Sequence, residues 1–359
     1  MSATASGPRS LTGTKAREAG PIAPWLWTTG ALLLMLVISG AVGSVTIPPL
    51  MVLKLVIAKI PFAEVVADWP AAYATILYDI RLPNTVLIAL AGMALGGSGA
   101  AYQGLFRNPL ADPYIIGVAS GAGLGAVLAM TANWPDTMLG MAAIPLAAFI
   151  GAVLTVAVVY SIARVGRSTP VTTLLLAGVA VGTFASSITS LLMLLSTDEL
   201  HRAVSWLLGG FALGGWGPVL VSLPYLGIGL ISLVVLGRPL NVLQFGDEEA
   251  LQLGLDVEKF KLVIVIAASL VAATAVAFSG IIAFVGLIVP HLVRILWGYD
   301  YRRLIPLSIL GGGAVLLAAD VLARTLMSPR TLPVGVITSV VGAPFFLWLL
   351  RRAKREVFW

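Results

Sequence analysis

The sequence predicts an all-α polytopic membrane protein with ten transmembrane helices. Its 359 residues are 59% hydrophobic and only 11% charged, whereas ordinary soluble domains carry about 25% charged residues. The apolar residues form ten stretches, most of them as long as a helix needs to cross a bilayer, roughly 17–25 residues. The stretches lack the strict alternation of apolar and polar residues that a transmembrane barrel shows. A soluble globular enzyme is therefore excluded, and a helical membrane bundle is predicted.

The elements follow in order along the chain. Residues 1–23 are polar, and the apolar stretch behind them is too long for the apolar region of a cleavable signal peptide. We predict a cytoplasmic N-terminal tail over 1–23, a single ten-helix domain over 24–352 and a cytoplasmic C-terminal tail over 353–359. The ten predicted spans are 25–46, 85–105, 115–131, 138–163, 171–195, 219–236, 262–278, 281–296, 304–322 and 333–350.

The basic residues decide on which side of the membrane the termini lie. Ten spans place both termini on one side, and sixteen of the 22 Lys and Arg residues fall on that side. Because basic residues are enriched in cytoplasmic loops, both termini are predicted to be cytoplasmic.

Two connections are long enough to have structure of their own. Residues 47–84 lie outside and mix apolar with charged residues, which predicts an interfacial helix. Residues 237–261 lie inside and are acidic, with possible turns at Gly246 and Gly254. This inner loop is interpreted as a docking surface for a partner, and a merely solvated hairpin is the alternative.

A weak internal repeat is visible at an offset of 181 residues. Ser98-Gly99 and Pro109 recur as Ser279-Gly280 and Pro290. The copies fall in spans that run in opposite directions, so a genuine repeat would be an inverted repeat of five plus five helices, which is typical of transporters. Chance is the competing explanation, because small residues are common throughout this chain.

The fifth span carries small residues every four positions, at Gly178, Gly182, Ser186 and Ser190. Such a stripe lets another helix approach closely. Tight packing inside one bundle is one interpretation. A subunit seam or a pathway lined by hydroxyl groups is the other.

Charged residues within the spans are scarce. Asp320 and Arg324 are four residues apart near the outer end of the ninth span, a spacing at which they could pair along one helix. No Cys is present and only His201 and His291 offer imidazole, so we expect no bound cofactor or metal. The phosphate-binding motif G-x-x-x-x-G-K-[ST] is also absent. If ATP drives transport, another polypeptide hydrolyses it.

An ordered series of motifs resembles the membrane permease subunit of bacterial type II ABC importers, the family for ferric siderophores, haem and cobalamin. The resemblance covers about residues 75–352. Its motifs are RLP at 81–83, SG at 98–99, QGLFRNPLADP at 103–113, LLAGV at 175–179, RPLN at 238–241, QLGL at 252–255, SG at 279–280, FVGLIVPH at 284–291, AD at 319–320, LPVGV at 332–336 and GAP at 342–344.

This resemblance implies a set of partners and a location. The chain would be a transport subunit rather than an enzyme, placed in the bacterial cytoplasmic membrane. It would form a homodimer, and each copy would contact one of two ATPase subunits, which use ATP and Mg²⁺. A substrate-binding protein would dock on the outer face. No nucleic acid partner is expected.

The resemblance also implies roles for individual residues. The cytoplasmic gate would include the Asn-Pro-Leu turn and the residues just before the fifth span, and Val171 lacks the hydroxyl group found in some relatives. The common Arg-Leu-Pro-Arg motif ends at Asn84 here, which puts the strength of outer docking in doubt. The predicted sites are the gate at Asn108, Leu110, Val171 and Thr172, ATPase coupling at Asp247, Glu248, Glu249, Leu253 and Gly254, and binding-protein docking at Arg81, Arg324 and Arg330.

The cargo implied by the resemblance is a metal chelate such as a ferric siderophore, haem or cobalamin. A molybdate-type oxyanion, which the same family handles, is the alternative within this class. An ion-coupled secondary transporter acting alone is a third hypothesis, and an intramembrane enzyme is the most distant one.

Overall fold

A computed structural model describes residues 22–43, 45–61, 66–132, 138–196, 199–210, 214–328 and 330–357. Most of the predicted N-terminal tail and the last two residues therefore lie outside the described residues. Within them, secondary structure is helical apart from one bridge between Val165 and Ser168. The α-helices are α1 (Ala23–Ala41), α2 (Pro49–Ala58), α3 (Ala71–Thr75), α4 (Leu82–Leu105), α5 (Val118–Thr131), α6 (Met138–Ala163), α7 (Val171–Leu195), α8 (Leu200–Leu207), α9 (Gly217–Val235), α10 (Gly237–Leu243), α11 (Asp247–Gln252), α12 (Val257–Ser279), α13 (Val285–Trp297), α14 (Tyr301–Thr325) and α15 (Val334–Val357).

The structure confirms an all-helical polytopic membrane protein. In the described part of the chain, seven helices are long and apolar enough to cross a membrane. They are α1, the continuous helix Ala71–Leu105, α6, α7, α9, α12 and α14. Each of the three remaining predicted spans contains a shorter apolar helix. The 14 residues of α5 and the 13 of α13 extend only about 20 Å, less than the roughly 30 Å of hydrocarbon.

The outer connection differs from the prediction. Residues 47–84 were expected to lie outside the membrane, with the second span beginning at residue 85. Among the described residues of this connection, α2 is the one separate short helix, and one continuous helix already begins at Ala71. This helix passes Pro83 by way of a π-helical turn over Ile76–Arg81. Proline lacks an N–H group and crowds the preceding turn, and a π turn directly before it relieves that crowding.

The eighth span also begins later than predicted. The chain from Gly280 to Phe284 is not helical, and both of these residues have a φ of 70°. A side chain at position 280 would collide with the carbonyl oxygen of Trp206, so only glycine fits this break. The helix α13 therefore starts at Val285 rather than at residue 281.

The segment before α5 packs on the break before α13. The hydroxyl of Tyr114 donates to the carbonyl oxygen of Ile282 at 3.0 Å. Gln103 Nε2 donates to the carbonyl oxygen of Leu287 at 3.1 Å. Polar groups at these breaks are thus satisfied inside the protein, as irregular backbone at membrane depth requires.

Helix α4 is the centre of the bundle and packs against α12, α13 and α14. The C-terminal part of α4 contacts the middle of α12, where the Tyr102 hydroxyl donates to or accepts from Ser269 Oγ at 2.7 Å. If α4, α5, α6 and α7 are paired with α12, α13, α14 and α15, the packing of the first set is repeated in the second. The pair α4 and α14, for example, corresponds to α12 and α6. The two sets thus share one pattern of contacts, which agrees with an internal repeat.

Candidate functional site

A cluster of charged residues ties three segments together on the face that is predicted to be cytoplasmic. We call Arg107, Asp247, Glu258 and Lys261 the inner cluster. Asp247 Oδ1 lies 3.2 Å from Arg107 Nη2, and Asp247 Oδ2 lies 2.6 Å from Lys261 Nζ. Lys261 Nζ also lies 3.2 Å from Glu258 Oε1. The Lys261 side chain is only 6% exposed, whereas the other three are about one-third exposed or more.

The sequence positions Asp247 through two glycines. Gly246 before α11 and Gly254 after it have φ values of 118° and 84°, in the region that favours glycine. The chain can therefore reverse at both ends of this six-residue helix. Asp247 begins α11 and so faces α12, while Glu248 and Glu249 remain exposed. Of the predicted coupling acids, Asp247 is thus engaged inside the molecule and the other two point to solvent.

The same loop exposes an apolar surface. Phe245, Leu251 and Leu253 are all exposed, and Leu253 has 67% of its area accessible. Three large apolar side chains beside two carboxylates form the kind of mixed patch found at protein interfaces. The predicted anchor Leu253 is therefore available to a partner.

The predicted gate residues lie in two segments that border the inner cluster. Asn108 Oδ1 accepts a hydrogen bond from the backbone N–H of Leu110 at 2.9 Å, which closes the Asn-Pro-Leu turn. Val171 is half-buried and Thr172 is exposed at the start of α7. Lys261 reaches this second segment, because Nζ lies 3.5 Å from the carbonyl oxygen of Thr169.

A further ion pair on this face fixes the start of α14. The Arg302 guanidinium donates to both oxygens of Asp300, with Nη2 at 2.7 Å from Oδ2, and Asn241 Nδ2 donates to Asp300 Oδ1 at 2.7 Å. Hydrogen bonds from Arg302, followed by that from Asn241, hold the pKa of Asp300 below its ordinary value. The carboxylate also caps α14 by accepting the backbone N–H of Arg302.

Two of the three predicted docking arginines make their contacts inside the subunit. Arg81 is buried, and its guanidinium donates to the carbonyl oxygens of Gly40, Ala41 and Val45 at the end of α1. It is therefore not presented to a docking partner in this structure. A cation is favourable there because the last carbonyl groups of a helix have no partners within it.

Arg324 is engaged in the same way. Its Nη2 lies 2.6 Å from Asp320 Oδ2, and the guanidinium also donates to Ser39 and Val42. The pairing of Asp320 with Arg324 along α14 is thus confirmed. Arg330 is the one predicted docking arginine that is exposed.

The small-residue stripe on α7 is divided between two environments. A side chain at Gly178 would collide with the carbonyl oxygen of Ile115, so this end packs inside the subunit. Gly182 faces only Ser120, and Ser186 and Ser190 are exposed. The division follows from helix geometry, because each step of four residues turns the stripe by about 40°.

A cavity of about 1080 Å³ opens on the face that is predicted to be outer. Its walls come from the outer end of α4, from α8 and from the connection between α14 and α15. The polar groups that line it include Asp79, Asn84, His201, Ser205 and Arg330. Within the described residues, no group of three or more His, Cys, Asp or Glu side chains could hold a metal ion.

The sequence analysis missed Arg107, Lys261 and Glu258 as functional candidates. The signal for Arg107 was its place directly before the Asn-Pro-Leu turn. The signal for Glu258 and Lys261 was their spacing of three residues, which puts opposite charges on one helix face. Asp247, the common partner of Arg107 and Lys261, is 140 residues from Arg107, so the cluster itself required the structure.

Comparisons with known proteins agree with this architecture. The profile of the FecCD transport family matches residues 31–352. A cobalamin import system permease protein of Halobacterium salinarum is 46% identical over 80% of this chain and 76% of its own length. A hemin transport system permease protein of Yersinia pestis is 40% identical over 77% of this chain and 84% of its own.

A solved structure has the same fold. It is an inward-facing conformation of a transporter assigned to the metal-chelate type of ABC transporters, with a TM-score of 0.75 and 30% identity. The alignment covers 92% of this chain and 98% of that one.

Proposed function

Because this chain belongs to the FecCD transport family and is a multi-pass ABC permease of the cytoplasmic membrane, we propose that it is the membrane subunit of an ATP-driven metal-chelate importer. Cargo would pass from an outer binding protein to the cytoplasm by alternating access. The observation that carries this proposal is the family match, which spans almost the whole helical domain and includes relatives named as import permeases for cobalamin and hemin.

ATP hydrolysis is assigned to a separate subunit. The sequence has no phosphate-binding loop, and the inner loop offers Phe245, Leu251 and Leu253 beside Glu248 and Glu249 as a docking surface. An apolar anchor with flanking charges suits a partner that must bind firmly and in one register.

Two copies of the chain would enclose the transport pathway. The exposed face of α7 that carries Ser186 and Ser190 supports this arrangement. Gly182 is the position to test, since only Ser120 lies near it inside the subunit. Gly182→Leu should block transport if this face lies at the seam or pathway, whereas a lipid-facing position would tolerate leucine.

A corrinoid or haem is the leading cargo, because the relatives described above are named for cobalamin and hemin. A molybdate-type oxyanion and an ion-coupled mechanism are the alternatives. Binding-protein docking on the outer face is assigned to Arg330, which is exposed beside the outer cavity.

Reconstitution tests the proposal directly. The permease would be placed in liposomes with its cognate ATPase and binding protein, and uptake of labelled cyanocobalamin, hemin and molybdate would be measured. We expect ATP-dependent uptake of one of the two chelates. Uptake of molybdate alone would assign an oxyanion as the cargo instead of a chelate. Uptake driven by an ion gradient without the ATPase would overturn the proposal.

A further inference from the structure

We propose that Asp247 and Lys261 form a branched ionic link that transmits movement of the cytoplasmic loop to both segments of the gate. The inference rests on the proposed function, since it takes the loop as the ATPase contact and the segments around Leu110 and Thr172 as the gate. It assigns positioning roles to Arg107 and Lys261, to which the sequence analysis gave no role.

The first branch joins α11 to the Asn-Pro-Leu turn. Asp247 Oδ1 lies 3.2 Å from Arg107 Nη2, and Arg107 directly precedes Asn108. Arg107 has a φ of 49°, a backbone conformation that residues other than glycine rarely adopt. The turn is held in this shape by the hydrogen bond from the backbone N–H of Asn108 to the carbonyl oxygen of Gln103. Because the backbone of this turn is fixed, a displacement of the Arg107 guanidinium would move the Asn-Pro-Leu turn as a unit.

The second branch joins α11 to the start of α7. Asp247 Oδ2 lies 2.6 Å from Lys261 Nζ, which also donates to the carbonyl oxygen of Thr169 at 3.5 Å. Thr173 Oγ1 donates to the carbonyl oxygens of Ala163 and Pro170, so the end of α6 and the start of α7 are held together. Lys261 thus contacts a segment whose shape is set independently of the loop.

Helix α11 itself has few buried contacts, whereas the preceding α10 is anchored through the hydrogen bonds of Asn241 to Asp300 and of Gln244 to the carbonyl oxygen of Gly104. Of the six residues of α11, only Ala250 is buried. The ion pairs of Asp247 are therefore the main polar connection between this short helix and the rest of the described protein.

Glu258 allows the link to open and close. Breaking a buried ion pair is costly when it strands an unpaired charge. Lys261 is buried, but Glu258 Oε1 lies 3.2 Å from Nζ and keeps the ammonium group paired when Asp247 withdraws. The cluster thus has two electrostatically satisfied arrangements, which is what a switching element needs.

Single thiols in this Cys-free chain can report on the two branches separately. Leu110→Cys and Thr172→Cys would each be introduced into the assembled complex with its ATPase and binding protein, using cyanocobalamin as the probe ligand. The rate of maleimide labelling would be measured without nucleotide and with ATP plus vanadate, and permease peptides would be read by mass spectrometry. In the otherwise unchanged chain we expect nucleotide to change both rates, by roughly fivefold or more.

The variants then divide the response. Arg107→Met should abolish the nucleotide response at position 110 and leave that at 172. Lys261→Met should abolish the response at position 172 and leave that at position 110. Asp247→Asn should abolish both responses. Lys261→Arg should keep the response at 172 that Lys261→Met loses. Lys259→Met is the matched control, because Lys259 is exposed on the same turn of α12 and has no ion pair among the described residues. It should leave both responses intact.

Three results would overturn the inference. One is a normal response at both positions in Asp247→Asn and Lys261→Met complexes that elute as a single assembled species. Another is loss of the response at position 172 in Arg107→Met, or at position 110 in Lys261→Met, while the Lys259→Met control responds normally, because the two branches would then not be separate. A failure of Lys261→Arg to recover the response would exclude an ionic link. Absence of ATP-dependent uptake in the unchanged complex would instead refute the proposed function itself.

Discussion

The outer and inner faces of the molecule use charged residues in opposite ways. On the outer face, Arg81 and Arg324 are largely buried and donate to backbone carbonyl groups at the end of α1. On the inner face, Asp247 bridges two basic residues that belong to different segments and remains partly exposed. The two arginines bind backbone carbonyl groups and so fix the end of a helix. Asp247 instead binds side chains of separate segments, and such ion pairs can form and break as the segments move. The outer charges therefore stabilise the fold, and the inner ones are suited to linking moving parts.

The largest expected effect is on the outer face. Arg324→Ala would leave the Asp320 carboxylate, whose side chain is 9% exposed, without its ionic partner. Loss of one member of a buried pair typically costs about 3–5 kcal/mol. We expect the thermal unfolding temperature of the detergent-solubilised protein to fall accordingly, and Asp320→Asn in the same chain to recover much of the loss. The exposed Arg330→Ala serves as control and should be nearly neutral.

Arg81→Met should have the next largest effect. It removes the donor for three carbonyl groups at the end of α1, and hydrogen bonds to charged groups contribute about 1.5–3 kcal/mol. We expect a lower unfolding temperature and, once the protein is folded, an unchanged rate of association with the binding protein. A slower association together with unchanged stability would return Arg81 to a docking role and weaken the contrast between the faces.

Leu253→Asp tests the inner surface, where stability should hardly change. The side chain is 67% exposed, and substitutions at such positions usually alter stability by less than about 0.5 kcal/mol. We expect the permease to insert and fold normally while the ATPase no longer co-purifies or couples. Gln252→Asp adds the same charge at an exposed neighbour without removing the apolar group, and it should keep the ATPase. Equal behaviour of the two variants would argue against Leu253 as an anchor.

The smallest effect concerns the Asp300–Arg302 pair. Because the pKa of Asp300 is lowered in the folded protein, its ionised form stabilises the fold above the ordinary value of 3.8. That contribution is lost as the pH falls below this value toward the folded-state pKa. The Asp300→Asn variant should therefore have a slightly lower thermal unfolding temperature than the unchanged chain at pH 7, and this difference in unfolding temperature should be smaller at pH 3. A difference that is constant with pH would contradict the assignment.

Some predicted site residues could be placed from sequence and others could not. The exposure of Leu253, Glu248 and Glu249 agreed with their place in a polar inner loop. Gly178 and Ser190 lie on one predicted stripe, yet the first packs inside the subunit and the second is exposed. The four-residue spacing of small residues predicts that they share one face of α7, but it does not predict which neighbour packs against each part of that face.

The sequence by itself determined the helical membrane class, the family and the acidic inner loop. These features depend on composition, on the length of apolar stretches and on short motifs, all of which are local. Only the tertiary structure decided that Arg81 is buried, that Arg324 reaches the end of α1, that the second long helix begins at Ala71 and that Asp247 joins two segments. Those outcomes depend on partners far apart in the chain, such as Arg324 and Ser39, which are 285 residues apart. A charged side chain takes its role from the group it meets, and the fold alone brings that group into contact.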